Sequence, residues 1–266
     1  GDGPQAIKAE RNAILEEIIE GLQERARRVR SGAVDKSEDN MLNIVTDGRK
    51  AATDIRLINP SYPDLKGSKV NLAVENIHRI WEETSDNKST QVVWLDVTSP
   101  NTDYPFNLYH EIVDKLAALG IPREEIAIMH DYNEKTKAQL FRSMNKGDIR
   151  ILLGSTAVMG TGVNVQKKLI ASHHLDVPWR PDQLEQRDGR ILRRGNTNKK
   201  VKIIRYISKG SFDSFMWDKI EQKSSFIRAA MSGASDRVLD ASEAEDMSAA
   251  EMKAAAADDP NLIRYV

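Results

Sequence analysis

Residues 186–195 read Gln186-Arg187-Asp188-Gly189-Arg190-Ile191-Leu192-Arg193-Arg194-Gly195. If the stretch is helical, Arg190 and Arg193 stand three residues apart and share one face. Two permanently charged, fork-shaped donors side by side suit a polyphosphate whose charge grows as a phosphoryl group moves. An arginine cluster by itself would equally describe a solvated basic helix. The residues on either side decide between these readings.

Gln186, Arg187, Gly189, Arg190 and Arg193 fill every specified position of the QRxGRxxR pattern, and the segment resembles motif VI of superfamily-2 helicases. Upstream, Ser155-Thr156-Ala157-Val158-Met159-Gly160-Thr161-Gly162-Val163-Asn164-Val165 resembles motif V of the Swi/Snf-type branch. Asp176, Trp179 and Pro181 fall where that branch has a DxxWNP turn, and no gap is needed from Ser155 to Asn196. Downstream, residues 201–213 resemble the strand and "KGTxE" turn that follow motif VI, and Ser68-Lys69 resembles the start of the second helicase domain. A narrower likeness rests on HHLDVPWRP (173–181), SFDSFMWDKIEQKSSFI (211–227) and MSAAEMKA (247–254). These are similar to the C-terminal part of very large phage and mobile-element proteins that join an adenine-specific DNA methylase to a Swi/Snf-like helicase.

The resemblance implies an α/β, RecA-like parallel sheet with helices on both faces. It implies that Arg190 and Arg193 are arginine fingers reaching a γ-phosphate, with Gln186 positioning them or touching the nucleotide. Gly160, Gly162 and Asn164 would line the nucleotide, and Ser155, Thr156 and Arg187 would meet the DNA backbone. The chemistry of motif V is consistent with this. Glycines allow unusual backbone angles and close approach to a ligand, and hydroxyls donate to phosphate oxygens. Asp188 is a candidate tether for Arg187. The implied cofactor is ATP, with its Mg²⁺ held by a first RecA-like lobe that this chain lacks. No GxxxxGK[ST] loop occurs, and no DExx motif follows a strand. Residues 154–162 are glycine-rich but contain no lysine, so they cannot replace that loop. The expectation is therefore a second lobe, inactive as an ATPase alone. Its expected partners are double-stranded DNA, the first lobe in cis and a methylase domain in the same polypeptide. The alternative is a RecA-like module that only binds DNA or protein beside such a methylase.

Composition sets the outer limits. The chain has 266 residues, 40% hydrophobic and 30% charged, with a formal net charge of −1. Overall charge therefore predicts no affinity for nucleic acid, and any basic surface must be local. Residues 186–209 supply nine Lys or Arg against one acid, Asp188. With no cysteine there are no disulfides or thiolate metal sites. His173 and His174 read as the end of a strand rather than as metal ligands, and no metal site is expected. No apolar run is long enough for a membrane span, which leads us to expect a cytoplasmic protein.

Apolar periodicity predicts a helix over 6–30, protruding rather than buried, and then a loop-rich connector to residue 67. Asn59-Pro60-Ser61-Tyr62 faintly resembles a methyltransferase NPPY loop but reads as an ordinary turn. From 68 to 232, short apolar runs at 92–95, 126–129, 149–153, 169–171 and 201–207 alternate with helical segments, as parallel strands covered on both faces do. Phe212–Met231 is expected as an amphipathic helix, with Phe215, Trp217, Ile220 and Phe226 on its apolar stripe. Residues 233–266 are expected as an acidic, alanine-rich tail.

Overall fold

The computed structural model describes residues 3–231, with side chains to Ser225. Phe226 and the expected tail at 233–266 lie outside the described side chains. Six parallel strands form one sheet: β1 (Gln5–Ala9), β2 (Thr90–Trp94), β3 (Ile126–Ile128), β4 (Ile151–Gly154), β5 (Leu169–His174) and β6 (Lys202–Ser208). Their order across the sheet is β1-β6-β5-β2-β4-β3. The helices are α1 (Ala13–Arg30), α2 (Met41–Thr53), α3 (Lys69–Glu83), α4 (Leu108–Ala118), α5 (Lys137–Lys146), the single-turn α6 (Thr156–Met159), α7 (Pro181–Ile191) and α8 (Phe212–Met231).

Alternation along each strand assigns side chains to two layers. Val93, Leu153, Ala171 and Ile204 face one way, against Val70, Ile77 and Ile80 of α3 and Tyr109 and Ile112 of α4. Val92, Trp94 and Leu152 face the other way, against Leu140 and Met144 of α5, Val163, and Ile191 of α7. Both faces are thus covered by helices, and the α/β, RecA-like arrangement expected from the sequence is present.

The N-terminal region differs from its sequence reading. Residues 5–9 are a strand, paired in parallel with β6 from Gln5 opposite Ile204 to Ala9 opposite Ser208. The helix starts only at Ala13, where the Asn12 side chain accepts from Leu15 N at 2.8 Å. Nor does it protrude. Leu15, Ile19, Leu22 and Ala26 pack on Ile44 and Ala51 of α2, a helix inside the expected connector. Residues 1–67 therefore supply a sheet strand and a helical pair, and the sheet crosses the boundary expected at 67/68. Asn59–Tyr62 is a turn, with Asn59 Oδ1 accepting from Ser61 N at 2.9 Å and Asn59 O from Tyr62 N at 3.1 Å.

Two sequence signals prove to be structural. Lys69 is buried at the start of α3, and its Nζ lies 2.7 Å from Asp213 Oδ2 in the first turn of α8. Asp213 also accepts from Ser208 N at 2.9 Å. The two segments that resemble the beginning and end of a helicase domain are thus joined by one buried ion pair. His173 and His174 end β5 in the core, where His173 contacts Tyr206 Oη and Gln91 Oε1, each at 2.8 Å. Among the described residues no group of acids and histidines could hold a metal ion, and no helix is long and apolar enough to cross a membrane.

Burial pushes the His173 imidazole down to about 3, with help from the charges of His174, Lys202 and Arg79, and also lowers His174. A histidine held neutral when folded stabilises the fold fully above its unfolded pKa, and that contribution is lost as pH falls below it. For His173 the loss begins near pH 6.5 and amounts to about 2 kcal/mol at pH 5. We expect the melting temperature to fall between pH 7 and pH 5, and to fall less in His173→Gln. Parallel melting curves for the two proteins, with no difference in slope against pH, would contradict this.

Candidate nucleotide and nucleic-acid site

The segment after β4 and the helix after β5 meet along one side of the sheet. Gln183, in the first turn of α7, reaches back to accept from Trp179 N at 3.0 Å and Arg180 N at 3.2 Å. Pro181 opens the helix without leaving a donor unpaired. With its start fixed in this way, α7 presents Arg187 and Arg190 to the 155–164 segment. The helix ends at Ile191, so Arg193 lies in the turn beyond it and does not share a helical face with Arg190 as the sequence spacing suggested.

Arg187 is wholly buried at the C-terminal edge of the sheet. One Nη2 lies 2.7 Å from Asp96 Oδ2, just after β2, and 2.9 Å from Asp176 Oδ1, just after β5. Nη1 donates to the Asp176 carbonyl at 2.8 Å, and Nε donates to Thr156 Oγ1 at 2.8 Å. The Thr156 hydroxyl in turn donates to Asp96 Oδ2 at 2.8 Å, and Thr156 N donates to Oδ1 at 2.7 Å. Asp176 Oδ2 also accepts from Val97 N at 2.8 Å. Burial works against the Arg187 charge, but Asp96 and Asp176 outweigh it and raise its pKa. Burial also opposes ionisation of Asp96, which Arg187 and Thr156 nevertheless hold below the usual carboxylate range.

This geometry corrects three sequence expectations. Arg187 and Thr156, expected on DNA, have their donors committed inside the protein and are 0% and 4% exposed. Asp188 does not tether Arg187. It lies 3.1 Å from His174 Nε2, and the tethers are Asp96 and Asp176. Asp96 was missed by the sequence reading. Its signal was an acid directly after the all-apolar run 92–95.

Arg190 is 7% exposed and does not stand open beside Arg193. It donates to the carbonyls of Gly160 and of Val163, the latter at 2.8 Å, and so spans the left-handed Gly162 (φ 68°). Burial, followed by the charge of Arg193, lowers its pKa. Gly160 is required by crowding, since a Cβ there would meet Thr156 O at 2.4 Å and Gln186 Oε1 at 2.5 Å. Gln186 is thereby seated against Gly160 in the 155–164 segment, half-buried. Ser155 is also half-buried, and its hydroxyl makes no hydrogen bond among the described residues. Arg193 is exposed, with Nη1 donating to Asn164 Oδ1 at 2.7 Å, and Asn164 is itself exposed. The groups that remain available to an outside ligand are Arg193, Asn164, Ser155 and the backbone around Gly162.

Residues 98–195 match the model of the helicase conserved C-terminal domain. Among solved structures, the C-terminal part of the Fun30 ATPase domain aligns with 97% of this chain and 98% of its own, at TM-score 0.55 and 15% identity. The Sulfolobus solfataricus SWI2/SNF2 ATPase core, solved in complex with dsDNA, aligns with 99% of this chain and 50% of its own, at TM-score 0.59 and 15% identity. At these identities the likeness speaks to the fold. Defense against restriction protein B of Escherichia phage P1 is 35% identical over 66 residues. That stretch is 25% of this chain and only 3% of the phage protein.

The burial of the three arginines predicts a graded effect on stability. Arg187→Met leaves two carboxylates without their counter-ion and should cost about 3–5 kcal/mol. Arg190→Ala loses two carbonyl contacts and should cost about 2 kcal/mol. Arg193→Ala should fall within about 0.5 kcal/mol of the parent. Urea denaturation measures all three, and equal losses at Arg187 and Arg193 would contradict the assignment.

Proposed function

We propose that this chain, which carries a helicase conserved C-terminal domain, is the second RecA-like lobe of an ATP-dependent DNA translocase or helicase, with the first lobe supplied in cis. The observation that carries the reading is the exposed Arg193 guanidinium, steadied by Asn164 in the turn that follows a helix anchored through Arg187 and Arg190.

The residues present fit one side of a nucleoside triphosphate. Arg193 offers a planar fork for the terminal phosphate, Asn164 orients that fork, and Gln186 is seated next to Gly160 against the same loop. They do not supply the phosphate-loop lysine or the carboxylates that hold Mg²⁺, which belong to the first lobe in this reading. ATP, when bound between the lobes, supplies the phosphoryl group whose transfer drives movement. The role of Arg193 is to meet negative charge as it develops, and a contact that strengthens in this way accelerates the chemical step. Arg190 acts indirectly: by holding the carbonyls on both sides of Gly162, it fixes the loop that presents Asn164. Ser155, with its hydroxyl uncommitted, is the group of this segment suited to a DNA phosphate. The similarity to a phage protein supports placing the complete polypeptide in a phage or mobile element; its union with an adenine-specific DNA methylase rests on the sequence resemblance at 173–181 and 211–227.

The test compares the isolated chain with a polypeptide that includes a first lobe. The isolated chain should show no DNA-stimulated ATPase. In the two-lobe protein, Arg193→Lys should keep its melting temperature and most of its ATP affinity but lose kcat by roughly 10³-fold or more, because an ammonium lacks the planar fork. Normal turnover in Arg193→Lys, or robust turnover by the isolated chain, would overturn the proposal.

A further inference from the structure

All six strands are parallel, so the loops that enter them gather at the N-terminal edge of the sheet, opposite the Arg187 node. Four of these loops bring lysines together: Lys88 before β2, Lys146 at the end of α5 before β4, Lys167 and Lys168 before β5, and Lys199 and Lys200 before β6. All but the half-buried Lys168 are exposed, and none of the six forms an ion pair among the described residues. Elsewhere on the surface, cations such as Arg25, Arg79, Lys115 and Lys137 are paired with carboxylates. Asp86 and Asp148 lie in the same loops, and the same edge also carries Glu82 and Glu83 at the end of α3, where Glu83 pairs with Arg79, and Glu124 and Glu125 before β3. The chain has a formal net charge of −1, so the four lysine-bearing loops are a local excess of positive charge.

The loops are fastened to one another. Thr197 N donates to Lys167 O at 2.8 Å, Asn198 Nδ2 to Lys168 O at 3.0 Å, and Lys168 Nζ to Asn87 O at 2.7 Å. Lys167 N donates to Asn145 Oδ1 at 3.3 Å, and Ser89 Oγ lies 3.3 Å from Asn198 Oδ1. Lys88 is held at φ 52°, and a Cβ on Gly147 would meet Lys88 Cβ at 2.6 Å and its carbonyl at 2.7 Å. A lysine persists in that backbone conformation only where its surroundings determine it. The cations therefore stand on a preset surface, which reduces the ordering cost of binding.

We propose that this edge is a nucleic-acid docking surface that grips the phosphate backbone of a duplex; it lies at the opposite end of the sheet from Ser155 and adjoins Asn164, whose carbonyl accepts from Asn145 Nδ2 at 2.9 Å. The size of the patch favours that occupant over a free nucleotide. From β6 through β5 and β2 to β4 the strand spacing alone spans about 14 Å. A duplex carries one charge per ~1.7 Å of axis, so a patch of this length meets several phosphates at once. The proposal rests on the DNA-handling role given above and adds a second point of attachment, on the far side of the sheet from Ser155.

The test uses the whole chain, a labelled DNA duplex and fluorescence anisotropy across a salt series. The variant reverses four exposed charges (Lys146→Glu, Lys167→Glu, Lys199→Glu, Lys200→Glu), and the matching set of Lys→Gln changes guards against a misfolded reversal. Melting curves check that both sets fold. Affinity should fall by roughly tenfold or more, and the slope of log K against log salt should become shallower by about 3 to 4. A Lys→Arg set should bind like the parent. Unchanged affinity and slope would overturn the proposal. If binding is instead lost only in a Ser155→Ala, Arg193→Ala double variant, the edge proposal falls while the functional reading stands. If the parent chain binds no duplex even at low salt, both fall. If the reversal weakens binding of polyglutamate or of ATP but not of duplex, the edge serves an acidic segment or a nucleotide, and the proposal is overturned.

Discussion

A single buried guanidinium fixes the relation between the parts that carry the chemistry. Arg187 has no exposed surface, and its donors reach the ends of β2 and β5 and the start of α6. A charge so placed is tolerable only while its counter-ions remain in position. The loops after these strands are otherwise free to vary in length and direction. Arg187 makes their positions mutually dependent: Asp96, Thr156 and Asp176 must be present together or each is left burdened with an unmet polar group. The 155–164 segment is therefore held to α7 at its base, and the more exposed residues beyond it inherit that alignment.

Along α7 and the turn that follows it, the roles of the arginines change with depth. Arg187 holds carboxylates, Arg190 holds backbone carbonyls, and Arg193 holds one exposed amide. The donors are the same in each case, yet burial leaves only the last one free to exchange partners at small cost. In a QRxGRxxR stretch the letters do not distinguish an arginine that builds the site from one that serves it. The distinction comes from what the helix faces at each turn.

Much of the sheet was legible because buried parallel strands read as continuous apolar runs, as at 92–95 and 149–153. The resemblance of 155–165 and 186–193 to consecutive helicase motifs also made their meeting predictable. The strand at 5–9 was not legible. Its sequence, Gln-Ala-Ile-Lys-Ala, continues the helical apolar spacing of the residues after it, and only Ala9 is buried. What makes it a strand is the open edge of β6, almost two hundred residues away. The helix at 41–53 was hidden for a similar reason, since its capping Asn40 sits in a run of loop-forming residues and its apolar face is completed by α1. Asp96 and Asp176 were visible as residues, but their claim on Arg187 depends on three strand ends converging, and no local pattern carries that.

The edge strand also has a consequence for synthesis. Among the strands of this sheet, residues 5–9 are made first and their partners at 204–208 last. At ~5–20 residues per second, β1 waits roughly 10–40 s for the strand it pairs with. Throughout that interval its backbone groups lack their strand partner, and an unpaired strand is the kind of template on which neighbouring chains assemble. Its brevity and the exposed Lys8 make it a poor template. The features that concealed this strand from pattern reading are the ones that let a nascent chain carry it safely until the sheet is ready to receive it.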